Sequence, residues 1–217
     1  PWSDEHRWNQ YWCSNYNYYD DNEYSWTSAS LRYTSLKNVL KMEEEAIRVG
    51  LDPNNSFAGV GKFLRAFYYY DMTMKVGDIP LSEALQGSDN VAPKYDSQKA
   101  VFIQIGKWLE ESNDILTKAI ANGDQNLKGF DFYYGGDVKK WQKAVNAFRI
   151  RTLIQLSKQA ADADLNVKGD FAKILGDPAT YPLPSSNTDN MSLAFTNIEK
   201  YPFNPDNFGF YADRYNT

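Results

Sequence analysis

The stretch from Asp131 to Arg151 constrains what this chain can fold into more tightly than any other. Gly135-Gly136 can adopt left-handed backbone without a Cβ clash, so a tight turn is expected there. Asp137, directly after it, can cap a helix by accepting backbone N–H groups that lack an intrahelical partner. Val138, Trp141, Val145, Phe148 and Thr152 then recur at helical spacing and form one core stripe. Asn146, Arg149 and Arg151 are polar residues set into that otherwise regular helix. Such a stripe has to be buried against other elements.

The same periodicity predicts three more long helices. The first, over 27–49, carries Leu31, Leu36, Val39, Leu40 and Ile47 and ends with Gly50 as the C′ residue. Ser56 can cap the second, with Phe57, Val60, Leu64, Phe67 and Met74 on one stripe until Gly77. Ala58, Gly59, Gly61 and Ala66 interrupt it with small residues, which would let a neighbouring helix approach closely. The third, over 97–121, has the cleanest pattern: Val101, Ile105, Trp108, Leu109, Ser112, Ile115, Leu116 and Ala119, stopped by Asn122-Gly123. The fourth runs over 137–161, and a short fifth over 169–176. Short links within each pair and a long Gly/Pro-bearing link between pairs predict two helical hairpins in tandem. Their large-against-small alternation suits tetratricopeptide-like stacking, although no strict repeat period is present. From Asp177 onward, Pro178, Pro182, Pro184, Pro202 and Pro205 among many Asn, Ser and Asp predict ordered loop, expected to pack on parts of the protein outside this chain.

Composition removes several function classes. A net charge of −5 with no run of four Lys or Arg argues against a nucleic-acid surface. No stretch approaches the roughly eighteen apolar residues of a membrane-spanning helix. One cysteine, Cys13, excludes an internal disulfide, and with His6 as the only histidine there are too few ligands for a zinc site. No Ser or Cys can be assigned to His6 as a nucleophile, and no carboxylate pair stands out as a glycosidase dyad. The Asp/Asn-rich stretches Asp20-Asp21-Asn22-Glu23 and Asp189-Asn190 could attract a hard cation, but neither is an EF-hand loop. The expectation is a non-enzymatic chain with no cofactor and no catalytic or metal residues.

The aromatic residues are unevenly placed. Trp2, Trp8, Tyr11, Trp12, Tyr16, Tyr18, Tyr19, Tyr24 and Trp26 crowd the first 26 residues, beside Asn9, Asn15, Asn17, Asp20, Asp21 and Asn22. Sugars present apolar C–H faces ringed by hydroxyls, so their sites need flat rings next to short amides or carboxylates. Trp8, Trp12, Asn15, Tyr16, Tyr18, Tyr19 and Trp26 are therefore the candidate ligand-binding residues. The competing reading is that these rings only fill a groove between the first helices and a partner element. Tyr68-Tyr69-Tyr70 fan around the second helix and are assigned to core and rim. Gly77-Asp78-Ile79-Pro80 and Gly136-Asp137 lack P-loop spacing and are turn and cap chemistry. Arg149 and Arg151, two apart, cannot share a helix face, and at least one is expected to pair with a carboxylate such as Asp78 or Asp131. Glu43-Glu44-Glu45 reads as a solvated helix face.

Three segments in order also resemble a known family. Gly136-Asp137 followed by Trp141, Asn146 and Arg151 is similar to the "GD–x3–W–x4–N–x4–R" helix start of the SusD/RagB-like nutrient-binding lipoproteins of Bacteroidota. Gly77-Asp78-Ile79-Pro80-Leu81-Ser82-Glu83-Ala84 resembles the family's "YGDvP(l/y)sEA" element, with Val76 where an aromatic is usual. Pro93-Lys94-Tyr95-Asp96-Ser97-Gln98 resembles its "PkYDsq" helix start, and the likeness extends loosely from Trp26 to Asn190.

The resemblance implies a mostly α scaffold of tetratricopeptide-like hairpins with long ordered loops, and residues 1–217 as the amino-terminal part of one SusD-like domain. Within it, 1–26 would be the aromatic-rich segment, 27–176 the helical scaffold and 177–217 the loop region, with the carboxy-terminal half expected beyond residue 217. It further implies an oligosaccharide gripped by an arc of aromatics with an asparagine, a pairing that Trp12 and Asn15 fit in spacing. The implied partner is a SusC-like TonB-dependent outer-membrane transporter on which the subunit sits as a lid. The implied location is the extracellular face of the outer membrane, through a lipid anchor. Cys13 is not that anchor, because Gln10-Tyr11-Trp12 lacks the required Leu and small residues, so the anchor is expected to precede this chain, in keeping with its start at Pro1. Two other readings stay open: an oligopeptide-binding relative, and a helical-repeat interaction module.

Overall fold

A computed structural model describes residues 31–192, and its described residues are mostly helical. The helices are α1 (Tyr33–Arg48), α2 (Ser56–Val76), α3 (Gln98–Ala121), α4 (Val138–Gln155) and α5 (Val167–Gly176). Short 3-10 turns occupy Gly87–Asp89, Ser157–Gln159 and Asn187–Asp189. Extended pairing among the described residues is confined to an isolated bridge between Ile79 and Asp96. Neighbours in sequence pack on each other as antiparallel hairpins, α1 on α2 and α3 on α4, and the most extensive seam is α2 on α3.

Sequence punctuation sets the ends. At the end of α1, Gly50 (φ +88°) lets its N–H reach Ile47 O at 2.9 Å and Leu51 N–H reach Ala46 O at 3.1 Å. Gly123 (φ +67°) repeats this after α3, so both last turns have their free carbonyls satisfied. Asp137 caps α4 as expected, accepting from the N–H groups of Lys139 and Lys140. Ser56 does not cap α2. Asn55 does, accepting from Ala58 N–H at 3.0 Å, while buried Ser56 gives its own N–H and hydroxyl to Asp124. The fourth helix is shorter than expected, turning 3-10 after Gln155, and the fifth begins two residues earlier.

The core sits between α2, α3 and α4. Val101, Ile105, Leu109, Ser112, Leu116 and Ala119 of α3 are buried as the periodicity predicts, and so are all five stripe residues of α4. Burial of each large aliphatic side chain contributes roughly 1.5–3 kcal/mol. On α2 the predicted stripe is rotated: Phe67 and Met74 are exposed, while Phe63, Ala66, Tyr69, Tyr70 and Met72 are buried. The cause is the close crossing at Gly59, where an added Cβ would lie 2.6 Å from Leu116 Cδ2. There Ser112 Oγ donates to Gly59 O at 2.7 Å, so α3 approaches the small-residue side of α2. On α1, Ile47 is likewise exposed.

A smaller cluster of Leu153, Val167, Ile174 and Tyr181 joins α4, α5 and the loop after it. In the loop after α5, Tyr181 and Asp189 are buried on this chain's own helices, while most of residues 177–192 are exposed. Glu43 also departs from expectation. It turns inward over Gly61 and pairs with Arg65, whereas Glu44 and Glu45 stay at the surface with Lys41. Burial raises the Glu43 carboxyl pKa despite the opposing Arg65 charge.

Candidate functional site

Trp8, Trp12, Asn15, Tyr16, Tyr18, Tyr19 and Trp26 lie outside the described residues, as does Asp20-Asp21-Asn22-Glu23. The described part is the frame that would carry such a site, and its polar residues show how the loops are held.

At one end, two sequence segments lock reciprocally. Ile79 and Asp96 exchange backbone hydrogen bonds at 3.2 and 3.0 Å. The Asp96 carboxylate accepts from Leu81 N–H, Ser82 N–H and the Ser82 hydroxyl, while Asp78 accepts from Gln98 N–H at 2.8 Å. Burial works against the charged form of Asp96, but these donors outweigh it and lower its pKa. Tyr33 adds a hydroxyl to Pro80 O at 2.7 Å.

Asp131 plays the same role before α4. It accepts from Tyr133, Tyr134 and Gly136 N–H and from Trp141 Nε1 at 2.8 Å. Gly136 is needed at φ +91°, and an added Cβ would also lie 2.8 Å from Lys128 Cα. This anchored loop holds Phe130 and Phe132 in solvent, with Phe130 against Phe57. Asn146, fully buried, donates to Asn113 Oδ1 at 3.0 Å and to Pro182 O at 3.2 Å. Gln142 joins the same Asn113 oxygen and Thr117 Oγ1. The polar insertions in α4 are therefore cross-links between α3, α4 and the following loop.

The two arginines do face different ways, but neither pairs with Asp78 or Asp131. Buried Arg149 pairs with Glu110 of α3 and lies 5.0 Å above the Tyr181 ring, while exposed Arg151 sits over Tyr70 at 5.9 Å. Glu110 also accepts from Lys173 and the Tyr181 hydroxyl, each at 2.9 Å. Burial raises its pKa, but Lys173, Arg149 and Tyr181 together bring it below the usual value. Sequence alone could not single out Glu110, Lys173 and Tyr181, because they meet from three distant elements. A cavity of about 320 Å³ lies beside this cluster, between α3, α4 and α5.

Asp189 is bound by Ser185 N–H and Lys143 Nζ, both at 2.9 Å, and these donors hold its carboxyl down to about 2. It is a structural lock, so the Asp189-Asn190 cation reading is not supported. Among the described residues no cluster of three His, Cys, Asp or Glu could hold a metal ion. No helix among them is long and apolar enough to cross a membrane.

Residues 3–207 match the SusD-like family described as "Starch-binding associating with outer membrane". A SusD homologue from Bacteroides fragilis superposes with a TM-score of 0.68 at 36% identity, over 82% of this chain and 35% of its own. Another from the same organism gives 0.66 at 33% identity, over 78% and 34%. A chitin-binding SusD homologue from Flavobacterium johnsoniae shares the fold, at 0.59 and 23% identity over 74% and 33%. The chain spans about a third of the length of these structures. Comparison with curated proteins gives no match. With a family match across nearly its whole length and the helical scaffold of these homologues, the chain belongs to the SusD-like family of outer-membrane-associated nutrient-binding proteins.

Proposed function

We propose that this protein is the oligosaccharide-binding subunit of an outer-membrane uptake system, acting as a lid on a SusC-like TonB-dependent transporter. The observation that carries the reading is the family match over residues 3–207. The anchored loops support it, because a capture surface works best when a rigid scaffold holds its contacts in place. Trp8, Trp12, Tyr16, Tyr18, Tyr19 and Trp26 would stack on sugar faces, with Asn15 bonding to hydroxyls. Lid closure would then deliver the bound glycan to the barrel. A lipid anchor would hold the subunit on the extracellular face. No chemistry is required of it, and the described carboxylates Asp96, Asp131, Glu110 and Asp189 are engaged by N–H groups or cations.

Calorimetry with starch-derived oligosaccharides tests this reading. Trp12→Ala or Tyr18→Ala should weaken binding on the order of tenfold or more, the size of one buried aromatic anchor, with an unchanged unfolding midpoint. Equal destabilisation by both changes, with no glycan bound by the unaltered protein, would assign the rings to packing instead.

A further inference from the structure

The loop before α4 holds two large rings in water at fixed positions. Phe130 and Phe132 are 76% and 64% exposed. Phe132 lies 4.7 Å from Tyr133, which stands edge-on to buried Trp141, and Phe130 leans on Phe57 of α2. Asp131, between the two rings, fixes the loop through three backbone N–H groups and the Trp141 indole. A single exposed ring needs no explanation, but two on one anchored loop, continuous with Phe57 and Tyr133, form a patch. Covering it is favourable, because rings already held in place lose little freedom when they are buried.

The course of the chain after α5 points to what covers it. Tyr181 lies under Arg149, Pro182 O accepts from Asn146, Asp189 pairs with Lys143, and Thr188 O accepts from Lys140 Nζ at 2.9 Å. These partners step back along α4 to its first turn, so the chain runs antiparallel to that helix and toward the ring loop. The hydroxyl of Tyr134, two residues from Phe132, then donates to Asp189 O at 3.1 Å. An extended chain from Asp189 to Phe195 spans up to about 20 Å, and Phe132 is within about 7 Å of Tyr134 along the backbone. Leu193, Phe195, Ile198, Tyr201 and Phe203 follow in sequence, outside the described residues. The amino-terminal segment joins at the other end of α2. There Arg32 N–H meets Met72 Sδ at 3.2 Å, about 22 Å along the helix from Phe57.

We infer that the ledge of Phe130 and Phe132 is the seat of residues 193–203 of this chain, with Phe195 the first ring laid on Phe132. The segment continues the path set by Asp189 and closes over the first turn of α4, so the polar seam along that helix ends in an apolar clasp. The two rings are then internal packing surface and not a face for an outside partner. Nothing in this seating depends on which ligand the protein binds.

Photo-crosslinking tests the seating. Phe132 is replaced by the photoreactive benzoylphenylalanine in the whole protein, which is irradiated at high dilution, and the joined peptides are identified by mass spectrometry. The expected result is an intramolecular link to a residue within 193–203. Links that fall only on residues 1–30, on a second copy or on any stretch beyond residue 217, or no link at all, would overturn it. Phe132→Ser should also raise hydrogen exchange of amides within 193–203 about tenfold, while amides of α3 keep their rates. Equal exchange in the altered and unaltered proteins would contradict the seating as well. The cross-link keeps an aromatic ring at the position, so it decides the matter even if Phe132→Ser does not fold.

Discussion

The seam joining α2, α3 and α4 and the seam joining α4 to α5 and residues 177–192 are built by opposite means. In the first, Phe63, Trp141, Phe148 and Tyr70 meet edge to face, with Phe63–Trp141 centroids 5.9 Å apart and Tyr70–Phe148 centroids 5.2 Å apart. Beneath them Ile105, Leu109 and Leu116 leave almost no exposed surface. The second has a small apolar cluster and leans on Glu110, Arg149, Lys173 and Tyr181, on Lys143 with Asp189, and on Asn146 with Pro182 O. Apolar packing tolerates little change in shape, while a polar seam depends on every partner being present. The cavity between α3, α4 and α5 lies along the second seam, with Glu110, Arg149 and Lys173 in its lining.

The largest effect should come from the first seam. Trp141→Ala removes a ring packed on Phe63 and Tyr134 and leaves Asp131 without its indole donor, so a loss of about 3–5 kcal/mol is expected in denaturant unfolding. Glu110→Ala strips Arg149, Lys173 and Tyr181 of one acceptor together. Because Glu110 is only partly buried, the expected cost is about 2–3 kcal/mol, short of what an enclosed pair shows. A cost matching that of Trp141→Ala would erase the contrast between the seams. Gly59→Ala, pressing on Leu116 at the α2–α3 crossing, should lose about 1–2 kcal/mol in the same assay. Tyr181→Phe keeps the ring under Arg149 and loses one hydrogen bond, which makes about 1 kcal/mol the expectation.

A further effect is one of pH. The Asp189 carboxyl is held at about 2 when folded, against about 3.9 in an unfolded chain. Its contribution to stability is complete above about pH 4 and fades as the pH falls toward 2. Hydrogen exchange at Ser185 N–H, its backbone partner, should quicken in that window, and Asp189→Asn should remove the dependence.

What could be read in the sequence follows the same division. Local periodicity located most of the buried faces of α3 and α4, although Trp108 and Ile115 are only half-buried and Phe102, Asn113, Gln142 and Leu153 are buried outside the expected stripes, and Gly50, Gly77 and Gly123 marked real helix ends. The α2 stripe was misplaced because Gly59 crosses close to Leu116 of α3, which puts Phe63, Ala66, Tyr69, Tyr70 and Met72 inside and leaves Phe67 and Met74 exposed. Ser56 lost its expected role to a carboxylate 68 residues away, and Glu43 turned inward because Gly61 left room beside Arg65. Pairings of this kind depend on how helices meet, which no local pattern encodes. The aromatic and Asn residues between Trp8 and Trp26 stay a sequence-based proposal, outside the described residues.

The most direct measurement is purification of the protein, tagged in its native host, from outer membranes under mild detergent, followed by identification of what accompanies it. The account predicts a stoichiometric TonB-dependent β-barrel transporter that remains bound through washing. A protein recovered alone, without any barrel, would contradict the lid and leave the helical hairpins as a scaffold for some other partner.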